Sequence, residues 1–333
     1  MIVEGNITKI VSSDHHCDLV FNKDFDIYNS DKYIEYRKNW EEYPKAKIYS
    51  KCPLNIDIIV TGRCNLKCIM CYRTKWIERG ISFNQEDMDL ELYKKIIDAS
   101  ADEEIPAIHL TGDGEPLLHN NIIEMIAYAR KKNIIDLFMH TNATLLTKEM
   151  SAGILGAGLT RLLISIDSPK KETYESMRKG ADFDLVMKNL KTFAAMKRDN
   201  KYPVLRVQMV ITSLNKSETK YYEELFKPYV DEIGFTEYVN FFNLEDDGKM
   251  EIKRKRYRED FICGDIWRRM TIDVDGNAYA CITKPEALLI GNFPDQSIKV
   301  LWNNEKMTNL RQQYISGNQK QLKGICTCGF QWK

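Results

Sequence analysis

Cys64, Cys68 and Cys71 stand in the stretch TGRCNLKCIMCYRTKW (61–76) at spacings of four and three residues. Three thiols so close on one loop point to a metal site, because a disulfide joins only two. A metal shell usually takes four ligands, and no fourth cysteine lies nearby in the chain. A [4Fe–4S] cluster held by three thiolates leaves one iron open to an outside ligand, and an open coordination position is the mark of a catalytic site. A zinc ion completed by a distant residue is the alternative.

Of nine cysteines, four more lie near the C-terminal end: Cys263, Cys281, Cys326 and Cys328. Four thiolates suffice for one further [4Fe–4S] cluster or for a structural zinc ion. The pair Asp275 and Gly276, between TIDV and NAYACI, is a hairpin turn signal. Cys52 precedes the first strand and reads as a small hydrophobe away from the chemistry. Cys17 belongs to an N-terminal arm that would fold over the site and serve as a hydrogen-atom donor, the alternative being an inert thiol.

The elements that position these residues follow from periodicity. Short apolar runs at 55–61, 107–112, 134–141, 161–168, 204–212 and 232–240 read as strands, several of them apolar on both faces. Between them lie stretches with helical spacing, such as Val186, Leu190 and Phe193 in FDLVMKNLKTFAAMKR. Strict βα alternation implies an α/β fold built on a parallel sheet, an open or closed barrel whose chemistry sits in the loops after the strands' C-terminal ends. The cysteine triplet, TGDGEP (111–116), TNAT (141–144) and SIDS (165–168) all occupy that rim. The pattern breaks near residue 243, so the expected division is an N-terminal extension at 1–51, a core at 52–242, and a connector with a small C-terminal domain at 243–333.

Residues 56–72, IDIIVTGRCNLKCIMCY, resemble the first strand and cluster loop of the radical S-adenosylmethionine (SAM) enzymes. The resemblance implies a partial (β/α)6 TIM-like barrel and a [4Fe–4S] cluster whose open iron is chelated by SAM. One electron from the cluster then cleaves SAM to a 5′-deoxyadenosyl radical, which abstracts a hydrogen atom from substrate. Residue by residue, it implies that Gly114 and Glu115 bind the SAM amino group, and that Ser165, with Asp167 beside it, meets the ribose or carboxylate. Asn142 borders the same site, and Arg178 pairs with the SAM carboxylate. Asp167 and Asn142 also suit turns or caps, and Arg178 also suits a surface ion pair. The segment from Cys263 through Cys281 resembles the SPASM/twitch extension of these enzymes, implying one auxiliary [4Fe–4S] cluster. Its final pair, Cys326 and Cys328, is CxC where CxxC is commoner, which leaves open whether both ligate.

Lysine plus arginine and aspartate plus glutamate both number 48, so no net field draws the chain to nucleic acid or a membrane surface. No apolar run is long enough to span a bilayer, and the chain reads as cytoplasmic. The family resemblance implies oxidation or epimerisation of a small carbohydrate or aminocyclitol metabolite, with a ribosomally made peptide as the alternative substrate. It also implies a low-potential electron donor such as flavodoxin or ferredoxin. An iron–sulfur carrier or sensor is the non-enzymatic alternative, separated by whether SAM binds. Tyr238, Asn240 and Trp267 are placed near the substrate by strand order.

Overall fold

The structure, a computed structural model, describes residues 2–4, 7–13, 16–21, 25–82, 84–198, 200–239, 250, 263–317 and 322. The chain opens with strands β1 (Ile2–Glu4), β2 (Ile7–Ser13) and β3 (His16–Val20), then helices α1 (Asp26–Asn29) and α2 (Asp31–Ala46). The core follows with β4 (Asn55–Ile59), β5 (Lys67–Cys68), α3 (Tyr72–Glu78), α4 (Leu90–Asp102), β6 (Ala107–Thr111), α5 (Ile122–Lys131) and β7 (Asp136–Thr141). It continues through α6 (Lys148–Ala157), β8 (Arg161–Ser165), α7 (Lys171–Met177), β9 (Arg178–Lys179), α8 (Phe183–Lys197), β10 (Val204–Ile211), α9 (Thr219–Phe226) and β11 (Glu232–Glu237). The last part comprises β12 (Arg269–Ile272), β13 (Asn277–Tyr279), β14 (Leu289–Asn292), α10 (Ile298–Asn303) and α11 (Glu305–Ile315).

Six strands pair in parallel in the order β4-β6-β7-β8-β10-β11, the expected partial (β/α)6 barrel. Its edges do not meet: β3 runs antiparallel beside β11, and β12 runs parallel beside β4. The result is one twelve-stranded sheet, β1-β2-β3-β11-β10-β8-β7-β6-β4-β12-β13-β14. The C-terminal strands therefore continue the core sheet.

Each strand alternates faces, because successive side chains point to opposite sides. One set (Ile56, Ile58, Ile108, Leu110, Leu137, Met139, Leu162, Ile164, Val207) is fully buried in the same apolar cluster as Tyr93 and Ile96 of α4, Met125 of α5 and Leu190 of α8. The other set is mainly polar, although Phe138 and Leu163 share it, and here the expectation of strands apolar on both faces is corrected. Asp57, His109, His140, Arg161 and Arg206 occupy the inner face, where they hydrogen-bond and ion-pair with one another and with Asp136 and Asp18. Burial on that side is tolerated because the polar groups find partners there.

At the N-terminal ends of the strands, α2 packs Tyr33 and Tyr36, with Phe25, against Leu54, Ala107 and Val204. Ser30 caps α2 by accepting from the Tyr33 amide at 3.3 Å. The sheet is thus stoppered at the end opposite the loops that carry the candidate residues.

Candidate functional site

The cluster loop is tied down at both ends. Thr61 Oγ1 donates to Asp87 at 2.6 Å, Arg63 Nε donates to the same carboxylate at 2.9 Å, and Arg63 Nη2 donates to the Leu118 carbonyl at 2.7 Å. Cys68 lies in β5, which pairs antiparallel with β9, setting Cys68 opposite Arg178. Cys71 occupies the N-cap position of α3. All three thiols border one cavity of about 250 Å³. Burial pushes each thiol's pKa up, that of Cys68 to about 12 although Arg178 works against it. Such thiols give up their protons when a metal takes the place of hydrogen.

The donor set fits an iron–sulfur cluster. Three thiols from one loop border one cavity, and three thiolates are the donor set of a four-iron cluster that leaves one iron to an outside ligand.

The same cavity is bordered by Gly114, Glu115, Asn142, Ser165 and Arg178. Glu115 is buried and held through both oxygens: Oε1 accepts from Thr141 Oγ1 at 2.6 Å, and Oε2 from the Asn142 amide at 2.7 Å. Burial raises its pKa, and these bonds oppose the rise by favouring the carboxylate. Gly114 lies where any side chain would strike the cluster loop, since an added Cβ would come within 2.0 Å of the Arg63 carbonyl oxygen. Arg178 Nε donates to Asp167 Oδ2 at 2.6 Å, and its Nη1 lies 3.9 Å from Cys68 Sγ. Asp167 also accepts from the Val210 amide at 2.8 Å, so it aims the arginine and braces β10 at once. The Asn142 side chain bonds Asn65 at 3.0 Å and the Thr144 amide at 2.9 Å, shaping the turn in which Ala143 has φ 59°.

One feature of the site was missed from sequence. Asp57 Oδ1 lies 2.8 Å from His109 Nδ1, and His109 Nε2 lies 2.7 Å from His140 Nδ1. His140 borders the cavity, and no described residue bonds its Nε2. Burial, then His109 and three arginines, hold the His140 pKa well below the usual imidazole range. The signal was present as a histidine at an alternating position in each of two apolar strands, AIHLT and DLFMHT.

Cys263 and Cys281 are both half-buried against the main core. Cys281 Sγ lies 3.2 Å from Thr283 Oγ1. Cys326, Cys328 and Asn240 fall outside the described residues. Two contacts bring the C-terminal part to the rim: Lys284 pairs with Asp113, and Asn84 Nδ2 donates to Asp275 at 2.8 Å.

Three placements differ from expectation. Cys17 lies in β3 opposite Phe235, whose ring meets Tyr222 of α9 at 5.7 Å. Paired residues share a face, so Cys17 points to the helix-covered side and away from the cavity. Its neighbour Asp18 takes the inner face and pairs with Arg206. Trp267 is fully buried just before β12, with Tyr49 edge-on at 5.4 Å, at the end where Leu54 and Asn55 enter the sheet and opposite the cavity. Tyr238 is buried after β11, its amide bonded to Ile211, and does not border the cavity. Cys52 lies away from the chemistry as expected, its thiol 3.2 Å from Glu103 and its pKa pushed up to about 12 by burial.

The sequence matches the Radical SAM superfamily over residues 58–225 and an iron–sulfur cluster-binding domain, SPASM, over residues 263–329. A probable GTP 3′,8-cyclase of Methanothermobacter marburgensis is 36% identical over 121 residues, covering 36% of this chain and 37% of that protein. The chain spans little more than half the length, or less, of the curated relatives it matches. BtrN in complex with AdoMet and 2-DOIA shares the fold with a TM-score of 0.51 at 16% identity, over 80% of this chain and 89% of that one. Streptococcus suis SuiB bound to its precursor peptide SuiA does so with a TM-score of 0.55 at 15% identity, over 83% of this chain and 70% of that one.

Proposed function

The chain belongs to the radical SAM superfamily, and from that membership we propose that it oxidises a C–H centre of a small polar metabolite of the carbohydrate or aminocyclitol type. SAM, a [4Fe–4S] cluster and an auxiliary iron–sulfur cluster are the cofactors that its two matched regions bring. Bound together, SAM and the reduced cluster supply one-electron cleavage of a carbon–sulfur bond, and with it a radical able to remove hydrogen.

In this reading Cys64, Cys68 and Cys71 hold the cluster. Glu115, fixed by Thr141 and Asn142, accepts from the SAM amino group, and Gly114 lets its loop lie close enough to do so. Arg178, aimed by Asp167, meets the SAM carboxylate, and Ser165 and Asn142 border the remainder. Cys263 and Cys281 contribute to the auxiliary site, together with Cys326 and Cys328. A low-potential flavodoxin or ferredoxin delivers the electron.

The observation that carries the choice of substrate is His140, which borders the cavity while no described residue bonds its Nε2, an arrangement that favours a hydroxyl or amine donor over an apolar group. BtrN, similar in fold, was crystallised in complex with AdoMet and 2-DOIA. The orientation of Cys17 favours oxidation over epimerisation, because a quenching thiol has to face the substrate radical. Epimerisation, or action on a peptide such as the SuiA that SuiB binds, is the competing outcome.

The test is anaerobic reconstitution followed by reduction and addition of SAM with cyclitols, amino sugars and peptides in deuterated water. About eight irons per chain, four per cluster, with 5′-deoxyadenosine and a carbonyl product free of new carbon-bound deuterium, is the expected result. Deuterium at an inverted carbon would establish epimerisation. No cleavage of SAM under any reductant would leave an iron–sulfur carrier.

A further inference from the structure

The loop after β6 offers the cluster loop almost nothing but backbone. An added Cβ at Gly112 would come within 2.9 Å of the Thr61 carbonyl oxygen, and one at Gly114 within 2.0 Å of the Arg63 oxygen. Asp113, between them, is the one side chain this tight segment presents. It is buried to 8% exposure and borders the same cavity as Glu115. Its two oxygens are claimed from opposite directions: Oδ1 accepts from the Tyr72 hydroxyl, and Oδ2 pairs with the Lys284 ammonium.

These partners are not arbitrary parts of the chain. Tyr72 directly follows Cys71, and its ring is fixed edge-on against Trp76 at 5.4 Å. Lys284 stands three residues beyond Cys281, in a turn closed by its amide bonding the Cys281 carbonyl at 3.1 Å. Its backbone is in the left-handed region with φ 49°, and its side chain is only 17% exposed. A short path, buried at Asp113 and half-buried at its other members, therefore runs from Cys71 through Tyr72, Asp113 and Lys284 to Cys281.

We propose that Tyr72, Asp113 and Lys284 form a charge bridge that couples the SAM-binding loop to the auxiliary-cluster loop, making SAM affinity and the auxiliary cluster's potential depend on one another. The inference rests on the reading that Cys64, Cys68 and Cys71 hold one cluster and that Cys281 serves a second. Charges removed from water act strongly over such short paths, since solvent and salt screen them little. A cation beside the auxiliary site favours its more negative, reduced state, and the Asp113 anion opposes this. Coupling between two sites is reciprocal: whatever SAM binding does to the potential, reduction does to SAM affinity. Tyr72, Asp113 and Lys284 are positioning residues here, because they act through the loops they join.

The experiment is a dye-mediated redox titration of the reconstituted protein, following the auxiliary cluster by EPR with and without SAM. Lys284→Met should lower its potential and Asp113→Asn should raise it, while Lys284→Arg leaves it near the native value. In the native protein SAM should shift the potential, and in Lys284→Met that shift should be lost. Shifts of opposite sign separate charge coupling from a merely structural role, which would move both variants the same way. If Lys284→Met does not retain its iron, Lys284→Gln is titrated in its place. Unchanged potentials in iron-replete variants, with 5′-deoxyadenosine still formed by the native protein, would overturn the bridge alone. Opposite shifts without any 5′-deoxyadenosine would uphold the bridge and overturn the proposed function.

Discussion

Burial raises the Glu115 pKa, and Thr141, the Asn142 amide and the Leu117 amide oppose that rise by donating to its oxygens. Replacing it with glutamine leaves one acceptor oxygen and sets an NH2 donor where the other stood, facing the SAM amino group or the Asn142 amide without a partner. A hydrogen bond to a charged group contributes about 1.5–3 kcal/mol, so Glu115→Gln should weaken SAM binding about 10- to 100-fold in equilibrium titration. The inner histidines make a different prediction. Burial lowers the pKa of both His109 and His140 from the ordinary imidazole value of 6.5, so the unfolded chain takes up protons at a higher pH than the folded one. Stability should be level above neutrality and fall as pH drops below about 6.5, by at most about 1.4 kcal/mol per unit for each histidine. Asp57 acts at lower pH: burial would raise its pKa, but Arg269 and His109 outweigh it, so its contribution is lost only as pH falls through that depressed value. Denaturant titrations of His140→Gln between pH 7 and 5 should show a shallower slope than the native protein. An unchanged slope would mean that His140 titrates freely in the folded state.

The alternating elements were legible because their periods are local. The runs at 55–61, 107–112, 134–141, 161–168, 204–212 and 232–240 became β4, β6, β7, β8, β10 and β11 with shortened ends. Helix starts were written in the caps: Asp182 accepts from the Asp184 and Leu185 amides at 2.9 and 3.2 Å at the head of α8. Asp182→Ala should cost about 1 kcal/mol of stability and leave 5′-deoxyadenosine formation intact, since the cap lies outside the cavity lining. Loop contacts are another matter. Gly114→Ala places a carbon against backbone rather than a yielding side chain. Overpacking of this kind costs about 1–3 kcal/mol, and the displaced loop should also lose SAM binding. The polar inner face was not legible, because a period of two tells which residues share a face but not which face a neighbouring layer covers.

For the whole molecule, the flanking parts complete the core. The N-terminal strands extend the β11 edge, α2 seals the strand N-termini, and β12–β14 extend the β4 edge. Trp302 ties the C-terminal part back by donating to the Ser50 carbonyl at 3.2 Å, and Arg311 is buried across its ring at 4.3 Å. Cys281→Ala should therefore leave a folded chain whose iron content falls from about eight to about four per molecule. Full loss of iron would mean that the second site supports the first. From its sequence alone this chain determined the family, the cysteine triplet proposed to hold the cluster and the order of its strands and helices, because each is set by spacing along the backbone. Only tertiary structure decided that Cys17 faces away from the cavity, that Trp267 sits at the far end, that Asp57, His109 and His140 line up, and that Lys284 reaches Asp113. Those facts depend on strand register and on which residues far apart in sequence share a buried space, and neither is encoded in local spacing.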